Sequence, residues 1–234
     1  MFLVDGEVVL EPGELAGAIR CEAAVLHEVE MRLGLRSGPA VRSGDAAAHA
    51  GRSDGVEPAH DVLEALRGAF GRTGVRELTA PHDGPSLRAH HAATLAALCP
   101  GVEAVHGGGF FDGRFHGRVD FLVRDDDTWV AHEVLRPGGT GRESSFRLAA
   151  CFDGLARAGV PVASQARLVR EDGTTTSRDL TAVVPVYRRW RARLETHVDE
   201  LLAGPAVGPR AWVWACGRCP TCRAPVEAGG VPGG

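Results

Sequence analysis

This 234-residue sequence contains no lysine, and all 26 of its basic residues are arginine. Any mechanism that needs a lysine from this chain, as Schiff-base amine, general base or charged anchor, is therefore excluded. Also missing is an apolar run near the roughly 20 residues that span a bilayer. The start, Met-Phe-Leu-Val-Asp-Gly-Glu, lacks the basic and apolar regions of a signal peptide, and a cytoplasmic protein is the expectation. There is no excess of positive charge. A formal net charge of −4 argues against a basic coat for nucleic acid and leaves room for a local patch. No internal repeat occurs. No Gly-x-Ser-x-Gly accompanies His106-Gly107-Gly108-Gly109, so that run is a poor esterase oxyanion loop. With 44 % hydrophobic residues, the length suits one well-buried domain. We expect that domain over residues 1–225 and a disordered tail at 226–234.

What is present reads as alternating helices and strands. Phe2-Leu3-Val4 and Val8-Val9-Leu10 flank an Asp5-Gly6 turn. Leu15, Ile19, Leu26, Val29 and Leu33 predict a helix over 14–33 that contains Cys21. Residues 36–56 lack periodicity and predict a mobile loop. Val62, Leu63, Leu66 and Phe70 mark a helix with His60 near its start, and Leu87, His91, Leu95 and Leu98 mark another. A strand meander over 102–135 follows, then a helix over 143–157 and an extended run over 160–169. Helix-then-strand after a meander implies a crossover, hence a mixed α/β sheet flanked by helices. The last helix, over 186–202, carries Arg188, Arg189, Arg191 and Arg193 around an apolar face.

Within the meander, Gly117 to Arg136 reads as a β-hairpin. Val119, Phe121 and Val123 alternate on one arm and Val130, His132 and Val134 on the other, with Asp126-Asp127 at the turn. A turn centred there pairs Asp125 with Thr128. The same register sets Asp120 across from Glu133, and Arg118 across from Leu135. Cross-strand Cβ atoms lie roughly 4.5–5.5 Å apart. Two carboxylates that close repel unless a cation lies between them, which is how proteins hold a hard divalent ion with oxygen ligands. The alternative is a pair of solvated carboxylates.

Cys216-Gly-Arg-Cys219-Pro-Thr-Cys222 is the strongest local motif. Three cysteines at two-residue gaps in a chain without a secretory signal point to metal rather than disulfides. Zinc sites favour separated pairs, whereas an unbroken C-x₂-C-x₂-C run suits a cubane cluster. A fourth thiolate is needed, from Cys21, Cys99 or Cys151, and the spacing does not choose among them.

Taken together, the hairpin, His60 and the cysteines resemble the RecB-like nucleases of the PD-(D/E)XK superfamily that carry an iron–sulfur cluster, relatives of AddB and of CRISPR-adaptation nucleases. The resemblance runs from about Leu10 to Cys222. It implies a restriction-endonuclease-like sheet flanked by helices and closed by a C-terminal cysteine cluster. It also implies a [4Fe–4S] cluster on Cys21, Cys216, Cys219 and Cys222. His60, Asp120 and Glu133 would then hold a Mg or Mn ion for hydrolysis of DNA, single- or double-stranded. Arg188, Arg189, Arg191 and Arg193 are the candidates for contacting that DNA, and an additional nuclease or helicase subunit is a candidate partner. Where the family has its lysine, this sequence has Leu135; where it has a glutamine and then a tyrosine, Arg147 and Cys151 stand. Losing one preorganised charge of that kind costs about 3–4 kcal/mol in the transition state. Arg118 and Arg147 are the candidates to supply it instead. The expectation is a metal-dependent DNase impaired by its missing lysine, or a non-catalytic nucleic-acid-binding or zinc-stapled module of the same fold.

Overall fold

The computed structural model describes residues 1–35, 58–135, 141–170, 173–204 and 213–223. The loop expected over 36–56 and the tail over 226–234 lie outside these residues. β1 (Phe2–Val4) and β2 (Glu7–Val9) form the expected hairpin. Asp5 and Gly6 both adopt positive φ at its turn, the geometry such a two-residue loop requires. α1 (Pro12–Arg32) follows, with Pro12 in its first turn and Glu14 accepting the Glu11 N–H at 2.8 Å. Its buried stripe includes Leu15, Leu26 and Val29. α2 (Pro58–Phe70) leads to β3 (Val75–Glu77). α3 (Gly84–Ala97) starts where Asp83 accepts the Ser86 N–H at 2.9 Å.

The strands β4 (Ala104–His106), β5 (Gly109–Phe111), β6 (His116–Arg118), β7 (Phe121–Asp125) and β8 (Thr128–Val134) are the meander. α4 (Gly141–Arg157) then crosses to β9 (Gln165–Val169), and β10 (Thr175–Asp179) and α5 (Val183–Ala203) follow. The main sheet has the order β10-β9-β8-β7-β4-β3. β3 runs parallel to β4 and β8 parallel to β9, and the other neighbours are antiparallel. The mixed sheet expected from the crossover is therefore present. β3 is not legible in the sequence: of its three residues only Val75 is buried, too little to show an alternation.

The meander departs from two straight arms. β4 pairs with β7 in the main sheet, but β5 pairs with β6 in a separate two-stranded sheet. The chain bends between them at Gly107-Gly108 on one arm and Val119-Asp120 on the other. Gly107 N–H donates to the Asp120 carbonyl at 2.7 Å, and Val119 N–H to the Gly108 carbonyl at 3.0 Å. Gly107 has a φ of 75°, a conformation costly for any residue with a Cβ, so the glycine run serves as a hinge in the sheet.

One face of the main sheet, through Val105, Leu122, Trp129 and Ala131, packs under α1, α4 and α5. The opposite face, through Ala104, Phe121, Val134 and Val169, packs under Ala59 and Leu63 of α2. α4 lies tight against the small sheet at Gly154, where an added Cβ would fall 2.2 Å from the Phe110 ring. Among the described residues no helix is long and apolar enough to cross a membrane.

Candidate metal centre and carboxylate site

Cys21, in the middle of α1, has extended backbone (φ −166°, ψ 101°) where a helix is otherwise continuous. The break releases the Ala23 N–H from the helical ladder, and it donates instead to the Trp214 carbonyl at 3.1 Å. This strand-like contact helps to bring the C-terminal cysteine segment alongside α1. Cys222 Sγ then lies 3.4 Å and Cys219 Sγ 3.7 Å from Cys21 Sγ. All four thiol sulfurs of Cys21, Cys216, Cys219 and Cys222 fall within 4.8 Å of one another. None of the cysteines is in a disulfide. α6 (Pro220–Arg223), a single turn, carries Cys222.

A carboxylate anchors this junction. Glu22 is fully buried. Its Oε2 accepts the Trp214 N–H at 2.9 Å, and Arg193 donates to both its oxygens at 2.5 and 2.8 Å. His197 Nε2 lies 3.1 Å away. Burial alone would raise this carboxyl, yet the Arg193 hydrogen bonds, the Trp214 N–H and His197 together hold it below the usual carboxylate range. The cysteine segment thus rests on hydrogen bonds that need no metal. Within the motif, the Arg218 and Cys219 N–H groups point at Cys216 Sγ from 3.4 and 3.3 Å and bring its thiol down to about 6. Burial pushes Cys21 up to about 12.

Four thiolates suit zinc or an iron–sulfur centre equally well. A tetrahedral ion with sulfur at about 2.3 Å holds its ligands about 3.8 Å apart, close to the spacing here; a cubane spreads them wider. The two other candidates for fourth ligand are elsewhere. Cys99 follows α3, and Cys151 is fully buried in α4.

The carboxylate pair is the second site. The register is as expected, with Asp125 opposite Thr128 and Phe121 opposite His132 as the last pair, and Asp120 and Glu133 are the residues just beyond it. Both are buried. Asp120 Oδ2 accepts the Val134 N–H at 2.8 Å. Alternation along β8 turns Glu133 to the Ala131 side, toward α4. There the Arg147 guanidinium donates to Glu133 Oε1. Burial works against that charge, but Glu133 and then Asp120 outweigh it and raise the Arg147 pKa. Cys151, one turn on, faces the same carboxylate, and burial first and Glu133 second keep its thiol protonated.

Two expected members do not join them. α2 packs on the other face of the sheet, and with Ala59 and Leu63 turned inward, the intervening His60 is exposed. Among the described residues the four cysteines are the one group of three or more histidine, cysteine or acidic side chains gathered closely enough to hold an ion; His60 does not join Asp120 and Glu133 in such a group. Arg118 does not face Leu135. The bend at Asp120 carries it into the small sheet opposite Gly109, with its guanidinium against Gly107.

The arginine row on α5 is largely engaged inside the fold. Arg188 pairs with the buried Asp153 at 2.5 Å. Arg191 is itself buried, paired with Asp112 and Glu195 at 2.7 Å and stacked over Phe115. Arg193 holds Glu22, and Arg189 is exposed. Sequence reasoning misses Glu22 and Asp153. The available signal is Arg193 and His197, four apart and so on one face of α5, which implies a buried acid opposite. The sequence matches no family model and no curated protein.

Proposed function

We propose that this chain is a RecB-like nuclease domain that keeps a cysteine-held iron–sulfur centre and engages DNA without hydrolysing it. The observation that carries the reading is the four-cysteine group, which joins the first helix to the C-terminal motif, the same four positions the family resemblance implies. The loss of hydrolysis is supported by Leu135 at the lysine position and by His60 on the far face of the sheet. Without a third ligand and a lysine, the carboxylate pair lacks the means to activate a water. Arg189, the exposed arginine of the α5 row, with the outward part of Arg188 beside it, is the proposed DNA contact, and a separate nuclease or helicase subunit is the proposed source of catalysis.

A second reading, a single zinc ion as staple, is favoured by one observation, the 3.4 and 3.7 Å sulfur separations. Anaerobic purification followed by iron and zinc analysis separates the two. The cluster reading expects brown protein with about four irons per chain. Stoichiometric zinc and no iron after reconstitution supports the staple instead. On single- and double-stranded DNA with Mn²⁺, the expected result is salt-dependent binding without cleavage. Cleavage that disappears in Glu133→Ala would show an active nuclease.

A further inference from the structure

The carboxylate pair has an occupant that the nuclease reading does not require. Arg147 reaches Glu133 from α4, with Asp120 close enough to add to the stabilisation of its charge. Asp120 is already tied through Oδ2 to the Val134 N–H. From the same helix, Cys151 contributes a protonated thiol and Glu143 a further negative charge near the guanidinium. Glu133 and Asp120 are buried, and the Arg147 side chain is mostly so. A divalent ion entering here would meet a fixed positive charge on the oxygen it needs. The residues present therefore do not fit the Mg or Mn ion that the resemblance implies.

We propose that Arg147 is the resident cation of the Asp120–Glu133 pair. It takes the place of a divalent ion, so the wild-type chain binds no Mg²⁺ or Mn²⁺ there, and removing the guanidinium uncovers a hard-metal site. This deepens the non-hydrolytic reading and rests on it only for the class of ion. Its test reads manganese binding, whereas that reading is tested by cysteine-bound metal, DNA binding and DNA cleavage.

The experiment is a Mn²⁺ titration of the full chain with its cysteine centre loaded, followed by calorimetry and by the electron paramagnetic resonance of free Mn²⁺. Wild type should bind none at this pair. Arg147→Gln should bind one Mn²⁺, tighter than wild type by about 100-fold or more, as expected when a fixed like charge is withdrawn. Arg147→Gln with Glu133→Gln should lose it again. A wild-type Mn²⁺ site that disappears in Glu133→Gln overturns the proposal, and so does a folded Arg147→Gln that binds nothing. Should Arg147→Gln fail to fold, Arg147→Lys retains the charge that Glu133 needs. It must then bind as little Mn²⁺ as wild type, and binding by it overturns the proposal.

Discussion

At the scale of single residues, the most consequential side chain is one that binds no metal. Glu22 is buried beside Cys21 and takes hydrogen bonds from Arg193 on α5 and from the backbone of Trp214. Breaking a fully buried ion pair by removing one partner's charge costs about 3–5 kcal/mol; here the Glu22 end is buried but the Arg193 end is partly exposed, so solvent compensates part of that cost. Glu22→Gln should therefore lower the melting temperature. It should also weaken metal retention, since the Trp214 segment loses its anchor. Metal content and chelator resistance equal to wild type would show that the thiolates alone position the segment. Glu22 is hidden in the sequence because its partners lie 171 and 192 positions away. The closeness of Asp120 to the end of β8 is legible, because a two-residue turn at Asp126-Asp127 fixes the register of the ladder that ends beside it. His60 is misleading for a related reason. Periodicity places it on a helix but does not say which face of the sheet that helix covers.

Among the elements, α3 and the glycine hinge form one unit. His90 on α3 lies 2.8 Å from the Gly107 carbonyl through Nε2, under the bend that turns β4 into β5. Burial, with His116 and Arg118 nearby, pushes this imidazole down to about 4, and burial likewise lowers His132 on β8 to about 4. Both are neutral in the folded chain where an unfolded histidine, with a pKa near 6.5, takes up a proton. Stability from these groups is thus fully present above about pH 6.5 and is lost as the pH falls toward 4. Melting temperatures measured from pH 7.5 to 4.5 should drop across that window. In His90→Gln, which can still donate to Gly107, the drop should be shallower; parallel curves would rule out His90 as a contributor. Hinge and helix illustrate how far a sequence can be read at this scale. The strands of the meander are legible, but their division between two sheets is not, because it depends on a positive φ at Gly107. The arginine row of α5 is visible as a cluster, yet its role in the fold depends on Asp112, Asp153 and Glu22 from three other parts of the chain.

For the whole molecule, a metal held by the four cysteines would cross-link distant parts of the chain. Cys21 and Cys219 are 198 positions apart, and closing a loop of that length, by analogy with a disulfide, stabilises the fold by about 5 kcal/mol. Cys21→Ala, or removal of the metal with a chelator, should lower the melting temperature by about 10 °C or more for a protein of this size. A metal-free sample that melts with the loaded one would show that the centre contributes nothing to global stability. The break in α1 has a consequence in time as well as in energy. The Ala23 N–H finds its acceptor in Trp214, a residue that leaves the ribosome long after α1 has emerged. Until then the nascent helix carries an open donor and a buried-type carboxylate facing water. α1 therefore cannot reach its final state until the chain near Trp214 has been made, so a late segment completes an early helix.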